Sequence, residues 1–459
     1  MAVSIALFTR DLRVHDNPVL AAAAGDDQCI PLFVLDDAIL NGPFNRPNRA
    51  AFLVDSLRDL DQGLARAGGR LVVRRGRLID EVLTLVREHS ARSVHVAADV
   101  SAFARRREDA LREALDRENV DLHVHECSIT AVPPGSLTPS GGGKDHFAVF
   151  TPYFRRWSEV TQRAVIRPPR RLSLPALRAG GLPAVEEICA GERSPHLAAG
   201  GEGAGRRLLT RWVNRDVREY EHRHDDLAGD GTSRLSPHLH FGTVSVTELL
   251  DRTGSASSGA QAFTRQLAWR DFHHQVLAAR PECATRDYRP RGDRWRRSDR
   301  DFTAWREGRT GFPIVDAAMR QLADEGWMHN RARLIVASFL TKTLYLDWRL
   351  GARHFADLLV DADTANNQMN WQWSAGTGTD TRPNRILNPL RQAERYDPGG
   401  DYVRKYVPEL SGIPGGAVHE PWKLPRHELQ DTGYPARIVD LRGGAERFKD
   451  AREESKTSR

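Results

Sequence analysis

Residues 93–125, SVHVAADVSAFARRREDALREALDRENVDLHVH, hold two short runs rich in β-branched and apolar residues, Ser93 to Ala97 and Asp121 to His125. Between them lies Arg105 to Arg117, where apolar residues recur every three or four positions. A period of two, then one near 3.6, then two again predicts strand, helix, strand. Strands joined through a helix run parallel, with a right-handed crossover. The pattern continues upstream, with strands expected at Ser4 to Phe8, Cys29 to Leu35 and Arg70 to Val73 and helices at Arg49 to Ala67 and Leu78 to Glu88. Five such strands predict an α/β domain over residues 1–127, a doubly wound parallel sheet of Rossmann-like class. Such sheets bind ligands at the carboxyl ends of their strands. No GxGxxG follows the first strand, however, so a nicotinamide dehydrogenase is disfavoured.

Beyond this block the texture changes. Residues 128–205 carry Pro133, Pro134, Ser140 to Gly143, Pro168, Pro169 and the glycine-rich run Ala199 to Gly205, which predicts an interdomain connector. From 206 to 459 strand-like runs give way to helical stretches at Ala260 to Ala279, Pro313 to Glu325, Met328 to Leu346 and Ala352 to Val360, an all-α domain. The charged end from Glu446 onward shows no apolar face and is expected to fray.

The chain has 459 residues, about three times the ~150-residue domain prior, so two domains fit easily. With 40% hydrophobic and 28% charged residues it is ordinary globular protein, not collagenous, disordered or a disulfide scaffold. No apolar run approaches a membrane span, and Arg10 and Asp11 fall where a signal peptide needs its apolar centre, which implies a cytosolic protein with no membrane partner. Cys29, Cys127, Cys189 and Cys283 form no CxxC pair, so neither a zinc ribbon nor an iron–sulfur site is suggested. The net charge of +6, nearly all from arginine, suits a polyanionic partner and equally a GC-rich coding bias.

Four blocks in the helical half carry candidate chemistry. Gly231-Thr232-Ser233-Arg234-Leu235-Ser236-Pro237 offers three hydroxyls, an arginine and free N–H groups at a helix start, a cradle for pyrophosphate or simply a capping turn. Within Ala260 to Ala279, Gln266, Trp269, Arg270 and His273 share one helical face. In Trp327 to Leu334, Asn330, Arg333 and Leu334 share a face while Arg331 points elsewhere. Asp361-Ala362-Asp363 precedes Asn366-Asn367-Gln368-Met369-Asn370-Trp371-Gln372-Trp373. Without a turn glycine or a closing glutamate these aspartates do not make a calcium loop, so no metal is expected, and pairing with Arg270 or Arg333 suits them better.

Together with LFTRDLRVHDNP from Leu7, VFTPYFRRW from Val149, EGRTGFPIVDAAMRQL from Glu307 and TGTDTRPNRILNP from Thr377, these blocks resemble the photolyase and cryptochrome flavoprotein family over nearly the whole chain. The likeness is greatest to its microbial class I cyclobutane-pyrimidine-dimer photolyases. The resemblance implies light-driven repair of UV-damaged DNA by a monomer in the cytoplasm, with reduced FAD passing an excited electron to a flipped dimer and taking it back.

It further implies that FAD is held by Tyr220, Thr232, Ser233, Arg234, Leu235, Ser236, Arg270, Asn330, Arg333, Asp361, Asp363 and Asn367. Asn367 would face flavin N5, where a neutral amide accepts from N5–H without adding negative charge. Trp371, Trp348 and Trp295 match the electron-relay tryptophans of the family. Trp269 and Trp373 match the aromatic walls around the flipped pyrimidines, each worth about 1–3 kcal/mol of stacking per base. Arg331, Arg385 and Gln392 match residues that meet DNA.

Two positions depart from the family pattern. Gln266 stands where dimer photolyases carry a glutamate, and Leu334 where they carry a methionine. Photolyases for the (6-4) lesion carry glutamine at the first position but histidine where this chain has Asn330, which keeps the dimer as the expected substrate. The rivals are a (6-4) photolyase and a cryptochrome light sensor. For the antenna chromophore, folate-binding relatives carry Asn-Glu near Arg105 to Arg107, so 8-hydroxy-5-deazaflavin is favoured over methenyltetrahydrofolate.

Overall fold

The computed structural model describes residues 1–141 and 143–457; Gly142 of the expected connector and the last two residues of the expected tail lie outside it. The chain forms two compact units, one of residues 1–193, 198–221 and 233–281, the other of residues 194–197, 222–232 and 282–459.

In the first unit five strands, β1 (Val3–Phe8), β2 (Gln28–Asp36), β3 (Val72–Gly76), β4 (Ser93–Ala97) and β5 (Asp121–His125), form one sheet in the order β3-β2-β1-β4-β5. Every pairing is parallel, as the alternation predicts. Strand β1 is buried on both faces: Val3, Ile5 and Leu7 pack with helices α3 (Leu78–His89) and α4 (Ala102–Asp116), and Ala6 and Phe8 pack with α1 (Pro18–Ala23) and α2 (Pro47–Ala65). Local chemistry sets the helix starts. Ser101 Oγ accepts from Ala104 N at 3.1 Å, and Asn17 Oδ1 accepts from Leu20 N at 3.0 Å with Pro18 in the first turn.

Strand β3 lies two to three residues later than its sequence suggests. Asp61 captures the Leu71 N–H at 2.7 Å, and the ladder runs instead from Val72 against Leu32 to Gly76 against Asp36. The proline-rich segment is structured by contacts within the first unit: Leu172 N bonds Ala67 O, Cys29 N bonds Ser173 O, and Val73 N bonds Ala179 O. A long helix, α5 (Ser258–Ala279), carries Asp271, whose buried Oδ2 accepts from Ala131 N, Val132 N and Trp157 Nε1 at 2.9, 3.1 and 3.0 Å. Burial pushes this carboxyl above the ordinary range, opposed first by the Arg270 charge and then by the Trp157 and Val132 hydrogen bonds.

The second unit is helical, with α6 (Pro313–Glu325), α7 (Asn330–Ser338), α8 (Trp348–Leu358), α9 (Thr364–Ala375) and α10 (Leu441–Thr457) among its elements. The stretch expected as one helix from Met328 to Leu346 begins instead at Asn330 and widens into a π turn over Phe339–Thr343.

The charged tail is also helical, against expectation. In α10 Phe448, 1% exposed, packs on Tyr345 at 6.2 Å between ring centroids, and Arg452 donates to Ala375 O at 2.7 Å. One aromatic and one anchored guanidinium replace the continuous apolar stripe that a periodicity test looks for. Phe448→Ala is expected to destabilise the protein by about 3 kcal/mol, the usual loss for a buried phenylalanine, read as a lower urea midpoint with unchanged slope.

Candidate functional site

In the second unit several of the candidate residues lie at the starts of α7, α8 and α9. Asp363 caps α9, its Oδ1 accepting from Asn366 N and Asn366 Nδ2 at 2.8 Å each. Two residues earlier, Asp361 takes both of its carboxylate oxygens to Arg333 Nη2, at 3.1 and 2.8 Å, while Arg333 Nε donates to Met328 O at 2.9 Å. Asp361 is almost buried and Arg333 a quarter exposed, so the pair faces an open side with its cation.

Asn367 donates Nδ2–H to the carbonyl of Ala352 at 3.0 Å. Because that bond uses the NH2 end, the amide oxygen is turned away from α8 as an acceptor. One turn later Trp371 is buried, 4.9 Å from Phe355 and 6.0 Å from Trp305 between ring centroids. Trp348 is fully buried, its Nε1–H donating to Asp287 Oδ1 at 2.9 Å with the Arg349 guanidinium 4.7 Å over its ring. Trp295 is partly buried and packs on Tyr345 at 5.0 Å. Trp373 and Leu334 are half-buried, whereas Asn330 and Arg385 are exposed.

Arg331 is held by a two-pronged ion pair to Asp225, 3.0 Å from Nε and 2.7 Å from Nη2, and lies 4.4 Å over the Tyr396 ring. Gln392 Oε1 and Thr232 Oγ1 are buried side-chain oxygens without a hydrogen-bond partner. An orphaned buried hydroxyl is costly unless something bonds it. With a fixed amide acceptor and an arginine–carboxylate pair also present, this donor set fits a phosphate-bearing flavin.

In the first unit, Trp269 of α5 stacks face to face on Phe150, with ring centroids 3.7 Å apart and planes 6° apart. Gln266, one turn before it, is exposed. Arg270 donates to Ile129 O at 2.7 Å and to Leu239 O at 3.3 Å. Tyr220 is enclosed by Trp212 and Phe263, each 5.3 Å away. In the loop before the short helix Ser236–Phe241, Arg234 has φ of 52° and Ser233 Oγ accepts from Leu235 N at 3.3 Å, while Leu235 is buried. Three partners escaped the sequence reading: Phe150 against Trp269, Asp225 against Arg331 and Asp287 against Trp348. All are distant in sequence from the residues they serve. Only Phe150, inside VFTPYFRRW, lay in a segment already marked.

Comparison with known proteins agrees with these features. A family model described as the FAD binding domain of DNA photolyase matches residues 263–454, and one described as DNA photolyase matches residues 4–173. The deoxyribodipyrimidine photo-lyase of Streptomyces griseus is 58% identical over 454 residues, covering 98% of this chain and 99% of the relative. The chain belongs to the DNA photolyase and cryptochrome family. A solved bacterial class III photolyase from Agrobacterium tumefaciens shares the fold with a TM-score of 0.92 at 32% identity, covering 100% of this chain and 98% of that one. A Synechocystis cryptochrome does so at 0.88 and 27%, covering 98% and 99%. Both branches of the photolyase family therefore share this architecture, and side chains have to choose between them.

In this chain the spacing of α8 and α9 is a sensitive point. A Cβ on Gly351 would lie 2.2 Å from Trp371 Cη2, so Gly351→Ala is expected to displace that ring and cost about 1–3 kcal/mol through overpacking. Urea unfolding measures the cost, and a Trp371 ring unmoved in the variant's crystal structure would refute it.

Proposed function

We propose that the chain is a light-driven, FAD-dependent photolyase that acts as a monomer on cyclobutane pyrimidine dimers in UV-damaged DNA. The observation that carries this reading is Asn367, whose amide is oriented by the Ala352 carbonyl so that it presents an acceptor. When bound and reduced, FAD supplies on excitation the electron that opens the two C–C bonds of the dimer and receives it back, with no net redox change.

The protein's part is binding, orientation and electrostatics. Thr232 would donate to the pyrophosphate, which would satisfy its otherwise orphaned hydroxyl, and Ser233, Arg234, Leu235 and Ser236 belong to the cofactor set by family position. Arg333, fixed by Asp361, would place its cation along a bound flavin, and Asp363, already rigid as a helix cap, would bond the flavin or its ribityl chain. Tyr220, Arg270 and Asn330 complete the cofactor set by family position. The Asn367 amide oxygen would accept a hydrogen bond from flavin N5–H without adding negative charge beside it.

The lesion leaves the duplex to react, and a poorly stacked dimer flips at least cost. Trp269 and Trp373 stack on the flipped bases. Trp269 arrives already braced by Phe150, so little side-chain entropy is lost on binding. Gln266 donates a hydrogen bond to the pyrimidine but supplies no proton, and Leu334 replaces a thioether by a side chain of similar volume. Among the DNA-facing residues, Arg331 reaches a phosphate only by surrendering Asp225, so Arg385, exposed in a loop, bears more of that contact, with Gln392 on the helix Pro389–Tyr396 that follows. Trp371, Trp348 and Trp295 are the residues that would conduct electrons inward to a bound, oxidised flavin.

For the antenna we favour 8-hydroxy-5-deazaflavin over methenyltetrahydrofolate. Arg105 is committed to the Ala278 carbonyl at 2.8 Å and Arg107 lies 4.0 Å from Asp36, so this edge offers cations in place of an amide and a carboxylate.

Gln266 is the feature that favours a (6-4) substrate, and defined oligonucleotides separate the possibilities. Under blue light with fully reduced FAD, the dimer is restored and the (6-4) lesion is not. Reversal of the (6-4) lesion alone would move the chain to that class, and reversal of neither would make it a sensor. Gln266→Glu is expected to raise the quantum yield of dimer repair; a yield that stays level or drops would mean that the amide already does the glutamate's work.

A further inference from the structure

Arg385 sits in a loop that two side chains from one stretch of helix hold in place. The loop runs from Gly376, where α9 ends, to Asn388, which caps the helix Pro389–Tyr396. Thr381, Arg382, Asn384 and Arg385 are exposed, while Leu387 is buried. The loop folds back on its own start: a Cβ on Gly376, whose φ is 79°, would lie 2.2 Å from the Pro383 carbonyl oxygen. A turn follows, with Arg382 N donating to Asp380 Oδ1 at 2.8 Å and Arg385 N to Arg382 O at 3.1 Å.

Past that turn the contacts come from the last residue of α7 and the π turn Phe339–Thr343 that extends it. Ser338 Oγ accepts from Leu387 N at 3.0 Å, and Lys342 Nζ donates to Arg385 O at 2.5 Å. The two bonds bracket residues 385–387. With its carbonyl pinned and the amide two residues on pinned as well, the backbone at Arg385 has one direction in which to send its side chain.

Lys342 is an unfavourable residue to bury. It is 2% exposed, and its ammonium makes one hydrogen bond, to Arg385 O, and no ion pair among the described residues. The Phe448 ring of α10 lies 5.7 Å from Nζ. Burial takes the ammonium down to about 7 against the pull of Asp380, with Arg452 and Arg385 adding to the shift and Asp293 opposing it. Desolvating a cation without a counter-ion is costly, and a methionine of similar length would fill the same space without that cost. The chain thus keeps a group that lowers its stability at the point from which the Arg385 peptide is gripped.

We propose that Lys342, assisted by Ser338, is a positioning residue for DNA binding, which clamps the 385–387 backbone so that the Arg385 guanidinium is presented to a DNA phosphate. The inference rests on the reading that Arg385 meets DNA. Lys342 is too deeply buried to touch a phosphate itself, so it acts through Arg385. A clamped loop has less freedom to lose when the phosphate arrives, and that difference appears as affinity.

Dark binding of the full, FAD-loaded chain to a duplex oligonucleotide carrying one cyclobutane thymine dimer, titrated at several salt concentrations, tests this. Arg385→Ala should weaken binding and lower the salt slope by about one. Lys342→Met should weaken binding by about two- to tenfold, the equivalent of one side chain left to be ordered on binding. Its urea midpoint should stay level or rise, because a buried cation has gone. In the Arg385→Ala background, Lys342→Met should cause no further loss, since both changes remove the same contact. Ser338→Ala, which leaves every charge in place, should show the same dependence on Arg385 and carries the test should Lys342→Met not fold. A loss that persists undiminished in the Arg385→Ala background makes the lysine a general structural residue and overturns the proposal. If Arg385→Ala weakens binding while Lys342→Met and Ser338→Ala bind as the wild type, Arg385 keeps its place and only the clamp falls. If Arg385→Ala binds as the wild type, the reading that Arg385 meets DNA falls, and this inference with it.

Discussion

Helices α8 and α9 meet where one of them has no side chain, and the second unit's candidate chemistry is arranged around that contact. Gly351 lets the Trp371 ring lie against the α8 backbone, and the next residue, Ala352, offers its carbonyl to Asn367. Asn367 and Trp371 are one helical turn apart, so two consecutive residues of α8 fix two successive side chains on one face of α9. The register of α9 is fixed independently by its Asp363 cap. An amide proposed to face the flavin and an indole proposed to feed it thus depend on a single packing contact, and a change of one methyl group at Gly351 reaches both.

The sheet was legible because its signal is local. Alternation in SIALF or SVHVA is a property of five consecutive residues, and burial on both faces of β1 follows from the helices between the strands. What the sequence hid is contact between distant residues. Asp61 moved the start of β3 by capturing one N–H, and Phe448 with Arg452 made a helix out of a tail that has no apolar stripe. The run from Glu307 shows a subtler limit. It marked the family, yet its aspartate is structural: buried Asp316 gathers Thr310 N, Thr310 Oγ1 and Gly311 N at 2.7, 2.6 and 3.0 Å, and also the Tyr434 hydroxyl. A motif can identify a family through residues that only hold a loop closed.

Of the candidate site, residue types and order were readable, while pairing was readable only in part. Arg333 with Asp361 was one of the pairings expected from the blocks; Arg270 instead secures backbone carbonyls, and its neighbour Asp271 holds the segment around Ala131 and Trp157. Gln266 remains the departure with most chemical weight, since it lies exposed one turn from a tryptophan already stacked on Phe150. The aromatic wall is intact where the acid is missing. The stacking and the proton supply proposed for this site thus rest on different residues, and the ring geometry at Trp269 is set without an acid at position 266.

Charge shows the same separation between composition and role. A surplus of +6 suggests a polyanion partner, yet many arginines are spent inside the protein. Arg331 is locked to Asp225, Arg333 to Asp361, Arg349 to Asp287 and Arg452 to Asp293. Each such pair lies within about 4 Å, where its interaction is screened far less than that of a cation free on the surface. Such arginines release few counterions when DNA arrives, because a carboxylate already holds them. The salt dependence of DNA binding should therefore follow the exposed cations that no carboxylate holds, Arg385 among them, and not the arginine count. The arginines of the second unit that are paired in this way serve first as counter-charges to carboxylates of the protein itself, and the net charge is a poor guide to what is left for a partner.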